Sequence, residues 1–179
     1  MRRRVASGRS RSQRGAVVVE FALCSTLLFP LVFGLIDYGV WFADSGGAKS
    51  GVREGARRAV VQQAATASCA TDTSYPSDLD KMRCQTRAAI STIAGHTYVM
   101  VRTSSSGWVK GSTLSACAMV EVTGVTGLVP LPNNRIVYSR VDMSIESATT
   151  VPSGASGPGA HISADTLPAG FAGNWAWCA

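Results

Sequence analysis

One stretch near the start dominates what this 179-residue chain can fold into: from Ala16 to Ala43 about 28 residues run on almost without charge. As helix, about 20 apolar residues cross the ~30 Å hydrocarbon core of a bilayer, so this run is long enough to span a membrane. Six arginines stand ahead of it (Arg2, Arg3, Arg4, Arg9, Arg11 and Arg14) with no acid among them. Such an excess before a span places the amino terminus in the cytoplasm and the rest of the chain outside. A cleaved secretory signal would have a shorter apolar core. This run continues through Pro30 into Tyr38, Trp41 and Phe42, which read as an interfacial aromatic belt on the outer side.

The formal net charge of +6 therefore belongs to the leader, because the remainder carries eleven basic and eleven acidic residues. A nucleic-acid binder keeps its positive charge on the folded domain, so that class is set aside. What remains is room for one anchor and one domain of about 100 residues with a modest core.

Inside the anchor one residue is out of place. Glu20 lies among Ala16, Val17, Val18, Val19, Phe21 and Ala22. A carboxylate at that depth costs about 2.5 to 3.5 kcal/mol even on the mildest insertion scale, so it marks a functional site. A basic leader ending in Gly15, an apolar run, Glu20 and then Phe21 resemble the processing site of type IV pilins. That resemblance implies a cut after Gly15 by a membrane aspartyl peptidase. It further implies pairing of Glu20 with the new Ala16 amine of a neighbouring subunit.

The segment Val19-Glu20-Phe21-Ala22-Leu23, then Pro30, then Gly34-Leu35-Ile36-Asp37-Tyr38-Gly39, then Arg53-Glu54-Gly55-Ala56-Arg57 is similar to the TadE-like family of tight-adherence (type IVc) pilus systems. The similarity runs over about a third of the chain. It implies a membrane-anchored, pilin-like α+β protein, a minor pilin or pseudopilin that helps assemble a pilus for adhesion or secretion. The implied partners are other pilin or pseudopilin subunits, a prepilin peptidase, the inner-membrane assembly platform and membrane lipid. The alternative is an uncut, signal-anchored binding or scaffold protein of the same apparatus, in which Gly15 and Glu20 are incidental.

The chain divides into a basic leader (1–15), a transmembrane helix (16–43), an amphipathic continuation of that helix (44–68), an exported α+β domain (69–148) and a Gly/Pro-rich tail with an aromatic end (149–179). Unbroken from Ala16 to Ser68, the helix would reach ~75 to 80 Å, with Pro30 kinking it inside the membrane. Gly39, Ala43, Gly47, Gly51, Gly55 and Ala59 place a small residue every four positions, a ladder that allows close helix packing. Each glycine also costs a helix interior about 1 kcal/mol against alanine, and a hinge at Ser45-Gly46-Gly47 is the favoured reading.

Beyond the helix, Ser77 or Asp78 caps a short helix that ends before Gly95. Three β-rich stretches, Thr97–Arg102, Cys117–Thr123 and Arg135–Glu146, predict a small antiparallel sheet packed on the helix. The run from Thr149 to Gly173 is rich in Pro, Gly, Ala and Ser and is expected to be poorly ordered. The closing Asn174-Trp-Ala-Trp-Cys reads as an anchor stapled back onto the sheet, with an exposed sticky tail as the rival.

Cys24 lies in the membrane run, which leaves Cys69, Cys84, Cys117 and Cys178 as an even set with three possible pairings. Cys69 with Cys84 and Cys117 with Cys178 is favoured, since the first two bracket a loop of turn formers and the last two bracket the rest of the domain. Zinc is disfavoured: no Cys-x-x-Cys occurs, and His96 and His161 stand at no ligand spacing. Asp72, Asp78 and Asp80 lack the alternation and glycine of a calcium loop. No catalytic constellation or cofactor motif appears, and an exported enzyme is a distant third reading.

Overall fold

The computed structural model describes residues 10–63 and 65–179, with side chains from Gly15 onward. The leader arginines Arg2, Arg3, Arg4 and Arg9 lie outside the described residues. Helix α1 runs from Ser10 to Val60 without interruption. Its first half has the length and apolarity to cross a membrane and none of that window is buried by the rest of the protein.

The hinge favoured on sequence at Ser45 to Gly47 is not present, since α1 continues through it. The reason lies in what Gly47 and the glycines after it face. Helix α3 (Asp78–Ala89) crosses α1 so closely that a Cβ at Gly51 would sit 2.6 Å from Ile90 Cα, and one at Gly55 2.7 Å from Thr86 Cα. The propensity lost at each glycine is offset by backbone-to-backbone contact that no larger residue permits. Only the upper rungs of the ladder serve this contact. Gly39 has open space around it and Ala43 is exposed.

The helix also stops earlier than expected, at Val60 and not Ser68. Gln62 takes a left-handed conformation (φ 52°). Its N–H donates to Ala59 O, and that of Gln63 donates to Arg58 O, both at 3.0 Å. This pair of bonds is the Schellman arrangement, which closes a helix. The Gln62 side chain is held there by Thr150, whose hydroxyl donates to Gln62 Oε1 at 2.9 Å. A short helix α2 (Ala67–Thr71) follows, and Cys69 on it is bonded to Cys84 on α3.

Helix α3 begins with a capping box: Ser77 Oγ accepts from Asp80 N, and the Asp80 side chain returns to Ser77 N. Four antiparallel strands are found among the described residues, β1 (Gly95–Thr103), β2 (Thr113–Val122), β3 (Ile136–Ser144) and β4 (Ile162–Ala164). They lie in the order β3-β2-β1-β4, with Val99 opposite Ala118 and Cys117 opposite Arg140. The central strand β2 is covered on both faces. Leu114, Ala116, Ala118, Val120 and Val122 point to the helices, while Cys117 belongs to a second cluster on the far side.

That far side is covered by the carboxyl-terminal segment, so the expected disordered tail is replaced by a third layer. β4 pairs with β1, placing Ser163 opposite Val101. Asp165 Oδ2 accepts from Val99 N at 2.8 Å, and the Asp165 carboxylate forms ion pairs with Arg83 and Arg87 on α3. Ser153 accepts from Asp78 N through its hydroxyl and donates back to the Asp78 carboxylate through its N–H at 3.0 Å. Glycines that signal flexibility by composition here make turns; Gly154, with φ +83°, sits where a Cβ would meet Ser77 Oγ at 2.7 Å. Cys178 is bonded to Cys117, and both are fully buried. The Trp177 ring meets Tyr138 edge-on at 5.2 Å, and Trp175 donates to Asp165 O at 3.3 Å. The aromatic end is thus stapled to the sheet.

The bond from Ser153 N–H, and then that from its hydroxyl, lowers the Asp78 carboxyl below the ordinary carboxylate range. A lowered folded-state value adds stability above the unfolded value of about 3.9, and that contribution vanishes as pH falls through the lower one. The protection of the Leu79 amide, which donates to Ser153 O, measured against the exchange rate of the unfolded chain at the same pH, should therefore fall on acidification below about pH 4. Asp78→Asn should lower it at neutral pH.

Candidate functional site

The chemistry singled out in the sequence lies along α1, which has two halves of opposite character. From Gly15 to Ile36 the residues are exposed, apart from Ser25, Phe33 and Gly34, which are half-buried. Glu20 is exposed within this band, four residues from Ala16 and so one helical turn away on the same face. Phe21 is 66% exposed. Pro30 leaves the helix unbroken. A single copy of the chain leaves most of this apolar surface uncovered. A membrane or neighbouring helices must cover it.

From Asp37 onward one face turns inward. Asp37 and Asp44, two turns apart, are both fully buried. Each carboxylate receives backbone N–H groups from a loop of the domain. Asp37 Oδ1 accepts from Thr126 N at 2.9 Å, and Oδ2 accepts from the Thr126 hydroxyl. Asp44 Oδ1 accepts from Ile93 N at 2.5 Å and Oδ2 from Ala94 N at 3.3 Å. Buried carboxylates are tolerated when they satisfy several donors at once, and these two fix where the loops before β1 and after β2 meet the helix. The family motif singles out Asp37 in the sequence, but nothing local gives Asp44 a role. The one signal that could have found it is the seven-residue spacing from Asp37, which sets both on one face.

Above them the inward face continues as Ala48, Gly51, Val52, Gly55 and Ala56, all buried. The charges of the second motif lie outside it. Glu54 pairs with Arg57 at 2.9 Å and with Arg58 at 2.7 Å. Hydrogen bonds from Arg57, then from Arg58, hold the Glu54 carboxyl at about 2. Arg53 is exposed. The aromatic belt is divided: Phe42 is 68% exposed, Tyr38 donates to Pro130 O at 3.4 Å, and Trp41 packs against the core.

The structure thus separates the sequence-derived residues into two groups. Gly15, Ala16, Glu20 and Phe21 gather on the free end of α1, whereas Asp37, Gly47, Gly51 and Gly55 join the helix to its own domain. Replacing Asp37 with alanine strands the Thr126 N–H and hydroxyl. A buried donor left without a partner costs about 1 to 3 kcal/mol. The expected result for Asp37→Ala is faster amide exchange across residues 124–128, with the β1–β2 pairing unchanged.

No curated protein and no solved structure matches the chain. A family model does match, over residues 15–57, and its description is TadE-like protein. Those residues run from the start of the free helix end, through both buried aspartates, to the Glu54–Arg57 ion pair, and over this stretch the chain is similar to TadE-like proteins.

Proposed function

We propose that the protein is a TadE-like minor pilin or pseudopilin of a tight-adherence (type IVc) pilus, with a structural and not an enzymatic role. In this reading it lies in the cytoplasmic membrane with its amino terminus in the cytoplasm and the α+β domain outside. A prepilin peptidase cuts after Gly15, and the freed helix then packs among other pilin or pseudopilin subunits at the inner-membrane assembly platform. The observation that carries the reading is the free end of α1: an exposed apolar helix with one carboxylate, Glu20, a single turn from Ala16. An uncompensated carboxylate in lipid is costly, and a neighbour's amino group at Ala16 is the cation that relieves it.

A rigid second half supports the same role. Force or register set at the free end passes to the domain through one continuous helix held by Asp37, Asp44 and the glycine crossing. Substituting Glu20 provides the test. Glu20→Ala should leave membrane insertion intact, since it removes a penalty of about 2.5 to 3.5 kcal/mol, yet it should abolish incorporation into or initiation of the fibre. Normal piliation by Glu20→Ala cells would instead favour an uncut, signal-anchored scaffold protein of the same apparatus.

A further inference from the structure

The loop between β2 and β3 reaches down α1 to a level that a soluble loop would avoid. Val129 lies beside Gly34, Asp37 holds Thr126, and Tyr38 meets Pro130 O. Counting from Val17 at 1.5 Å per residue, Gly34 is about 25 Å along the helix, less than the ~30 Å thickness of a hydrocarbon core. Sliding the bilayer outward toward Ala43 sets the loop deeper still. Sliding it inward would, in the uncut chain, draw the basic leader into lipid.

The loop is built for such a place. From Val122 to Asn134 it carries no charged residue, and its tip presents Leu128 at 67% and Val125 at 61% exposure. Two backbone donors near the tip are occupied, Thr126 N by Asp37 and Leu128 N by the Thr126 hydroxyl at 3.3 Å. Satisfied donors are what a loop needs where water is scarce. Arg135, exposed at its end, is placed to meet lipid phosphate.

We infer that residues 123–132 form a second membrane contact, an apolar loop seated in the lipid interface on the side where the domain folds. It fixes the tilt and rotation of α1 relative to the bilayer. The inference rests on α1 spanning the membrane, and its test separates the two claims.

The full chain, in a Cys24→Ser background and with its disulfides intact, is reconstituted in phosphatidylcholine–phosphatidylglycerol vesicles. Leu128→Cys, Phe29→Cys and Val109→Cys each carry a polarity-sensitive fluorophore, and lipids spin-labelled at shallow or deep positions serve as quenchers. All three sites are at least half exposed. The expected result is deep quenching at 29, shallow quenching with a blue shift at 128, and neither at 109. A label at 128 that behaves like 109 while 29 is quenched overturns the loop contact and leaves the anchor standing. Loss of quenching at 29 overturns both. A blue shift at 128 that ignores the quenchers and follows the protein-to-lipid ratio overturns the lipid contact in favour of a second copy of the chain.

Discussion

Removing the bond between Cys117 and Cys178 should cost the domain about 2 to 5 kcal/mol, more than the loss expected from any other single substitution proposed for this chain. The two cysteines are 61 residues apart and close a loop containing β3, β4 and the whole third layer. In the unfolded chain that constraint removes much of the loop entropy, and the longer the loop the larger the effect. In the folded chain Cys117 lies on the central strand facing Cys178, with Met100, Trp175 and Trp177 packed around them. Cys178→Ser would put an unpartnered hydroxyl where Cys178 is fully buried and free the last residues from the sheet. Thermal unfolding in detergent should show a large drop in midpoint. The near-ultraviolet dichroism of Trp175 and Trp177 should fade at temperatures where the α1–α3 contact still holds. Cys69→Ser should cost less, because its loop spans only 15 residues and lies at the edge of the fold.

The second large effect concerns sign as well as size. Gly46 and Gly51 sit in the same helix five residues apart, and propensity alone predicts that alanine stabilises both by up to about 1 kcal/mol. Gly46 is exposed with nothing near a would-be Cβ, so Gly46→Ala should follow that rule. At Gly51 a Cβ would lie 2.6 Å from Ile90 Cα and 2.7 Å from Ala89 O, atoms of backbone that no rotamer change can move. Overpacking of this kind typically costs about 1 to 3 kcal/mol, which outweighs the propensity gain. Gly51→Ala should therefore destabilise, and Gly51→Leu should separate α3 from α1. Paired denaturant unfolding of Gly46→Ala and Gly51→Ala decides it. Stabilisation by both would mean that the two helices do not meet backbone to backbone.

These glycines also show where a single sequence is informative and where it is not. Their spacing of four is visible in the chain, but α3, the surface they fit, is set by contacts far along the sequence. Local grounds consequently favour a hinge at Ser45-Gly46-Gly47, where the folded chain has continuous helix. The apolar anchor and the central strand are legible because their signals are local: a long uncharged run, and β-branched alternation over Cys117–Thr123. The four cysteines of the domain are likewise readable from their even number and bracketing positions.

β4 is not legible. Ile162-Ser-Ala164 has too few residues to carry a period, and it lies in a stretch whose composition speaks for disorder. Main-chain pairing with β1 and the Asp165 ion pairs with Arg83 and Arg87 make it a strand. Asp44 escapes notice for a similar reason. An acid beside Ser45 and two glycines reads as helix-weakening on local grounds; its spacing from Asp37 sets it on the same face, and the bonds from Ile93 N and Ala94 N make it a buried acceptor.

The central claim, a TadE-like anchor that is processed and then assembled, is tested most directly by intact mass. The protein is extracted from membranes of cells with and without the prepilin peptidase, under non-reducing conditions. Loss of Met1 to Gly15 only where the peptidase is present is the predicted result, with both disulfides retained in the shortened chain. An uncut chain in both strains would contradict it and leave Glu20 as a carboxylate without its partner amine.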